Sequence, residues 1–147
     1  MAGILIVAHT PIASAMLSFA EHVYGVVPDH IRAVDIPAHE DVKISLDRVL
    51  EAAKAVATEN ELLVLTDVMG ATPANVVSRL VGMQIKPGQQ FNVVVLAGLN
   101  LPMLMRAASY RGDALELLAQ KTLQGGQNGI LRLGAVPNRQ PSEVQDS

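Results

Sequence analysis

Cysteine and tryptophan are absent from the 147-residue sequence. Without thiols there is no disulfide framework, no thiolate zinc site and no cysteine nucleophile. The same absence accords with a reducing compartment, and the expected location is the cytoplasm. Aromatic side chains are scarce, two Phe and two Tyr, and the net charge is −3 with no basic cluster. Nucleic-acid binding calls for a positive stripe, stacking aromatics or both, so no nucleic-acid partner is expected. Long apolar runs are missing too. Ile4 to Ala8 lacks a preceding basic segment and is too short for a signal sequence or a membrane span. Elsewhere Gly, Pro, Asn or charge interrupts every apolar run well before about 18 residues.

What is present is a core. Half of the residues are apolar, enough to bury a single domain without metals or disulfides. Short β-branched runs alternate with segments of helical period. Strands are expected at Gly3 to Ala8, Ile31 to Ile36, Leu62 to Thr66 and Phe91 to Ala97. Each is followed by a helix: from Thr10-Pro11 to Tyr24, Asp41 to Thr58, Thr72-Pro73 to Val81 and Leu101 to Tyr110. A further helix is expected to stop near Leu123, before Gly125-Gly126, and a short antiparallel strand to run from Gly129 to Leu133. The alternation predicts an α/β fold, a doubly wound four-stranded parallel sheet in order 2-1-3-4 with helices on both faces. The domain is expected to span residues 1–133. Residues 134–147, mostly polar and with two prolines, read as a disordered tail.

Ligands of such sheets bind beyond the carboxyl ends of the strands, where the strand order switches. The residues there are His9-Thr10-Pro11, Pro37-Ala38-His39, Asp67 to Pro73 and Gly98-Leu99-Asn100. Thr-Pro at a helix start caps the helix and leaves amide donors and partial positive charge, which suit an anion. Gly70 and Ala71 let backbone approach it, and Thr10 and Thr72 complete the expected phosphate-binding set. Neutral imidazole is a nucleophile toward phosphorus and leaves well once phosphorylated. His9 is therefore the candidate nucleophile, with Asp67 placed to hold its other ring nitrogen. Such a site asks for positioning and electrostatics more than for further chemistry. No metal or other cofactor is expected. His22 and His30 read as solvated, and His39 as part of a helix-start loop. Arg79 and Arg106 read as helix-surface charges.

Three segments resemble the enzyme IIA component of the mannose-type sugar phosphotransferase system: Ile6 to Thr10, Asp67 to Asn75 and Ala97 to Leu104. The similarity runs from Gly3 to Leu133. It implies a phosphotransferase component phosphorylated on His9 at Nε2, with Asp67 on the other nitrogen. It also implies the small phosphocarrier HPr as donor and a IIB component or another protein as acceptor. Pro73, Asn75 and Asn100 would lie at the partner or site edge. A homodimer exchanging its final strand, and peripheral association with membrane permease components, follow from the same resemblance. Pro11 stands where glycine is common in that family, and Thr72 where serine is frequent.

Other readings compete. The chain could be a regulatory module whose His9 phosphorylation state selects its partner, or a phosphocarrier of the dihydroxyacetone-kinase type. A receiver domain phosphorylated on Asp67 would need an acidic Mg²⁺ cluster where His9 stands. A dinucleotide-binding fold would need a Gly-rich fingerprint after the first strand, and there is none.

Overall fold

The computed structural model describes residues 1–57, 59–82, 88 and 90–134. Nine elements follow one another along the chain: β1 (Gly3–His9), α1 (Ile12–Tyr24), β2 (Ile31–Ile36), α2 (Val42–Val56), β3 (Glu61–Thr66), α3 (Thr72–Ser78), β4 (Asn92–Ala97), α4 (Leu101–Ser109) and α5 (Leu115–Asn128). The strands form one four-stranded sheet in the order β2-β1-β3-β4, every pair parallel.

The central strands carry unbroken apolar runs because both of their faces are covered. Ile4, Leu5, Ile6, Val7 and Ala8 of β1 are fully buried, as are Leu62 to Leu65 of β3. Side chains alternate between faces. Ile4, Ile6, Ala8, Leu63 and Leu65 meet α1, α4 and α5 through Ala13, Ala20, Met103, Leu104 and Leu118. Leu5, Val7, Leu62 and Val64 meet α2 and α3 through Val49, Ala53, Val56, Val76 and Val77. His9, two residues beyond Val7, continues this second face.

Local signals explain several boundaries. Gly25 ends α1 in the left-handed region at φ 81°, its amide bonded to the Glu21 carbonyl. Asp41 caps α2 by accepting from the Lys43 amide at 2.7 Å. The Thr-Pro pairs each sit one position from where they were expected, in opposite directions: Pro11 falls one place before the first helical residue and Pro73 one place after it. Pro11 itself precedes the first residue of α1, and Ala71 precedes Thr72, the first residue of α3; neither helix is capped by the side chain of that preceding residue.

The largest departure is at the C-terminal end. The last helix does not stop at Leu123 but continues through Gly125-Gly126 to Asn128. The glycines are there for contact with α4: a Cβ on Gly125 would overlap Arg106, and one on Gly126 would overlap Met103. Close packing of the two helices outweighs a helix-propensity cost of about 1 kcal/mol per glycine. The strand expected at Gly129 to Leu133 is absent from the single chain. Ile130, Leu131 and Leu133 instead extend past α5 with 81%, 77% and 92% of their surface exposed. The expected tail, from residue 135 onward, lies outside the described residues.

Candidate functional site

The strand order switches between β1 and β3, where adjacent strands send the chain in opposite directions across the sheet. His9 ends β1 there, and Asp67 follows β3. The His9 ring Nδ1 lies 2.6 Å from Asp67 Oδ2, and the His9 backbone amide donates to the same oxygen at 3.0 Å. Asp67 Oδ1 accepts from the Val68 amide at 2.8 Å. The carboxylate is thus gripped from both sides. Burial pushes its pKa up, but the hydrogen bonds from the His9 amide, the His9 ring and the Val68 amide together hold it below its ordinary value.

An ionised carboxylate can only accept. In the neutral imidazole the proton facing it must therefore sit on Nδ1, which leaves the lone pair on Nε2. The His9 side chain is 47% exposed while that of Asp67 is 9% exposed. The ring is held at one nitrogen and open at the other. That is the arrangement of an oriented nucleophile.

The flanking residues divide by task. The Thr10 amide is committed to the Ile36 carbonyl at 3.2 Å, so its hydroxyl is what it can offer a ligand. Gly70, at φ 84°, turns the chain after Met69. The Ala71 amide donates to the Val68 carbonyl at 3.3 Å, and Asn75 follows as the first amide bonded back into the helix, to the Ala71 carbonyl. Among the described residues the amides of Gly70 and Thr72 have no partner. Thr72 and Asn75 are exposed and Pro73 is buried, so Pro73 serves the packing of α3 and not the rim. Asn100 is engaged structurally: its Oδ1 accepts from the Met103 amide at 3.0 Å, and its Nδ2 reaches the Gly126 carbonyl at 3.4 Å.

A second set of residues carries no sequence motif. Asp35 Oδ1 accepts from the Ser14 amide at 3.0 Å and so occupies the start of α1 that the sequence reserves for an external anion. Arg48 donates to the Asp35 carbonyl and to Glu40 Oε1, both at 2.9 Å, and Ser45 Oγ donates to Glu40 Oε1 at 2.6 Å. The Ser45 hydrogen bond, with Arg48 behind it, lowers the Glu40 pKa against the opposing effect of burial. This clamp fixes the β2–α2 connection beside His9. Among the described residues no group of three or more His, Asp or Glu could hold a metal ion. None of their helices is long and apolar enough to cross a membrane.

The sheet and its exposed histidine define a class: an open parallel α/β domain with a carboxylate-bonded imidazole at its switch point. Comparison with known proteins specifies the class further. The family described as PTS system fructose IIA component (EIIA-man) matches residues 3–122, and the chain belongs to that family. Phosphotransferase system component EIIA from Streptococcus agalactiae is similar at 29% identity and TM-score 0.77, covering 90% of this chain and 97% of its own. The mannose/sorbose specific IIA subunit from Enterococcus faecalis shares the fold at 23% identity and TM-score 0.77, covering 94% and 98%. The PTS IIA protein associated with the fucose utilization operon of Streptococcus pneumoniae is similar at 25% identity and TM-score 0.68, covering 90% and 96%. Family membership gives the general role, a phosphotransferase component of the sugar phosphotransferase system.

Proposed function

We propose that the protein is a phosphocarrier that accepts a phosphoryl group from phospho-HPr on His9 Nε2 and passes it to a IIB component or another protein acceptor. The observation that carries this reading is the 2.6 Å contact of His9 Nδ1 with Asp67 beneath a half-exposed ring. The Nε2 lone pair attacks phosphorus as the donor's P–N bond breaks, and the donor imidazole leaves neutral. Positive charge then rests on the phosphorylated His9 ring, where the Asp67 carboxylate meets it. The Gly70 and Thr72 amides and the Thr10 and Thr72 hydroxyls are the donors for the phosphoryl oxygens, preorganised as charge stabilisation requires. The second transfer is the same reaction in reverse, toward the acceptor.

The same reading includes a homodimer in which residues 129–133 pair with the open edge of β4 in the partner subunit. The folded domain would end near Leu133. The apolar, exposed Ile130, Leu131 and Leu133 support it, as does the half-buried apolar row Val93 to Ala97 on the edge strand.

Incubation with phosphoenolpyruvate, enzyme I and HPr tests the central step. One acid-labile, alkali-stable phosphoryl group per chain is expected, and none in His9→Ala. An alkali-labile label that survives in His9→Ala would move the site to Asp67 and defeat the reading.

A further inference from the structure

Three described non-glycine residues have positive φ: His30 at 68°, His39 at 67° and Asn60 at 60°. Two of them have a structural reason. The His30 carbonyl accepts from the Ile4 amide at 2.8 Å and the Asn60 carbonyl from the Asn92 amide at 2.7 Å, each opening a strand pairing at the amino end of the sheet. His39 stands at the opposite end, beside the site, and no sheet pairing depends on it. It occupies the third position of the turn closed by the Glu40 amide on the Pro37 carbonyl at 3.4 Å. Positive φ at that position marks a type II turn, where glycine is the residue of least strain.

The turn is held firmly. Glu40 is fixed by Ser45 and Arg48, Arg48 also binds the Asp35 carbonyl, and Asp41 caps α2. The His39 side chain is exposed above this clamp. Its location is close to the nucleophile in the register: His9 pairs with Ile36, and the Thr10 amide binds the Ile36 carbonyl. The turn begins at the next residue and leads into α2, on the sheet face to which His9 points. A positive-φ residue on a rigid support, with its imidazole in solvent at the end of the sheet that holds His9, stands where something outside the chain can reach it.

We propose that His39 is a recognition residue: its imidazole hydrogen-bonds the protein that docks over His9 to exchange the phosphoryl group. This rests on the phosphocarrier reading. Donor and acceptor must both reach Nε2 of the same ring, so both pass over this rim, and phospho-HPr serves as the probe. Initial rates of transfer should be measured for wild type, His39→Gly and His39→Asn across a range of phospho-HPr concentrations. Glycine suits the turn, so His39→Gly should keep or raise the thermal midpoint. Its KM should rise roughly tenfold, the loss of one intermolecular hydrogen bond, with kcat little changed. Asparagine tolerates positive φ and retains hydrogen-bonding groups, so His39→Asn should fall between. An unchanged KM in His39→Gly overturns the assignment. So does a fall in kcat at constant KM, which would put His39 on the phosphoryl group itself, or a lowered midpoint, which would make it structural. Failure of wild type to accept any phosphoryl group would instead defeat the phosphocarrier reading, and the role of His39 with it.

Discussion

Asp67 has two jobs that can be separated by measurement. It orients His9, and its carboxylate is itself stabilised by the hydrogen bonds it accepts. If orientation matters as in other imidazole–carboxylate pairs, Asp67→Ala should slow transfer by about 10² to 10⁴-fold while retaining the fold. Wild-type rates in that variant would remove Asp67 from the mechanism. The depressed pKa of Asp67 adds a sign. A carboxyl whose folded pKa lies below its unfolded value of about 3.9 contributes stability that is complete above that pH and is lost as pH falls through the folded value. The stability gap between wild type and Asp67→Ala should therefore be constant near neutrality and shrink below about pH 4. A gap that stays flat in urea titrations down to about pH 3 would contradict the shift. His9 and Asp67 were legible in the sequence because the strand pattern placed both at one edge. Asp35, Glu40 and Arg48 were not. They lie in a strand, a loop and a helix with no shared motif, and only the tertiary fold reveals that they clamp a single turn.

Elements were most readable where hydrophobic period and burial agree. β1 and β3 are apolar at consecutive positions because both faces are covered, and the parallel order followed from their alternation with helices. The reading failed where a residue serves a neighbouring helix and not its own. Gly125-Gly126 reads locally as a stop, yet α5 passes through it because α4 lies too close for side chains. The two glycines should respond differently to substitution. An added Cβ at Gly126 meets buried Met103 and approaches Asn100 Nδ2 at 3.3 Å, whereas at Gly125 it meets Arg106, a long side chain that is only partly buried. Overpacking costs about 1–3 kcal/mol, against a propensity gain near 1 kcal/mol for Ala over Gly. Gly125→Ala should lower the urea midpoint, but by less than Gly126→Ala, because a rotamer change can move the Arg106 Cγ while its Cβ, 3.0 Å from the added methyl, stays in place. Gly126→Ala should lower the urea midpoint and loosen the cap that Asn100 places on α4. Equal effects at the two positions would mean that burial of the neighbour does not decide the cost.

At the scale of the whole molecule, the apolar, exposed end of the chain calls for a cover. α5 delivers residue 129 beside Pro102, at the site end of the sheet. A strand continuing from there must run back antiparallel to β4, the edge strand on this side of the sheet. Leu131 and Leu133 would share one face of it, since side chains alternate with period two. Burying Ile130, Leu131 and Leu133 would contribute about 1.5–3 kcal/mol each in both subunits, a strong drive for pairing across a two-fold axis. The apolar residues read as a strand in the sequence, whereas in the single chain they extend past α5 with their side chains exposed, because the elements next to them in sequence are helices and offer no edge to pair with. Deleting residues 129–147 should give a monomer or an aggregating chain, because both backbone pairing and apolar burial go with it. Deleting residues 135–147 alone should leave a dimer that is phosphorylated as before, each subunit keeping its own His9 and Asp67. Sedimentation of both truncations beside the full chain tests this directly, and a full-length protein that is monomeric at micromolar concentration defeats the exchange.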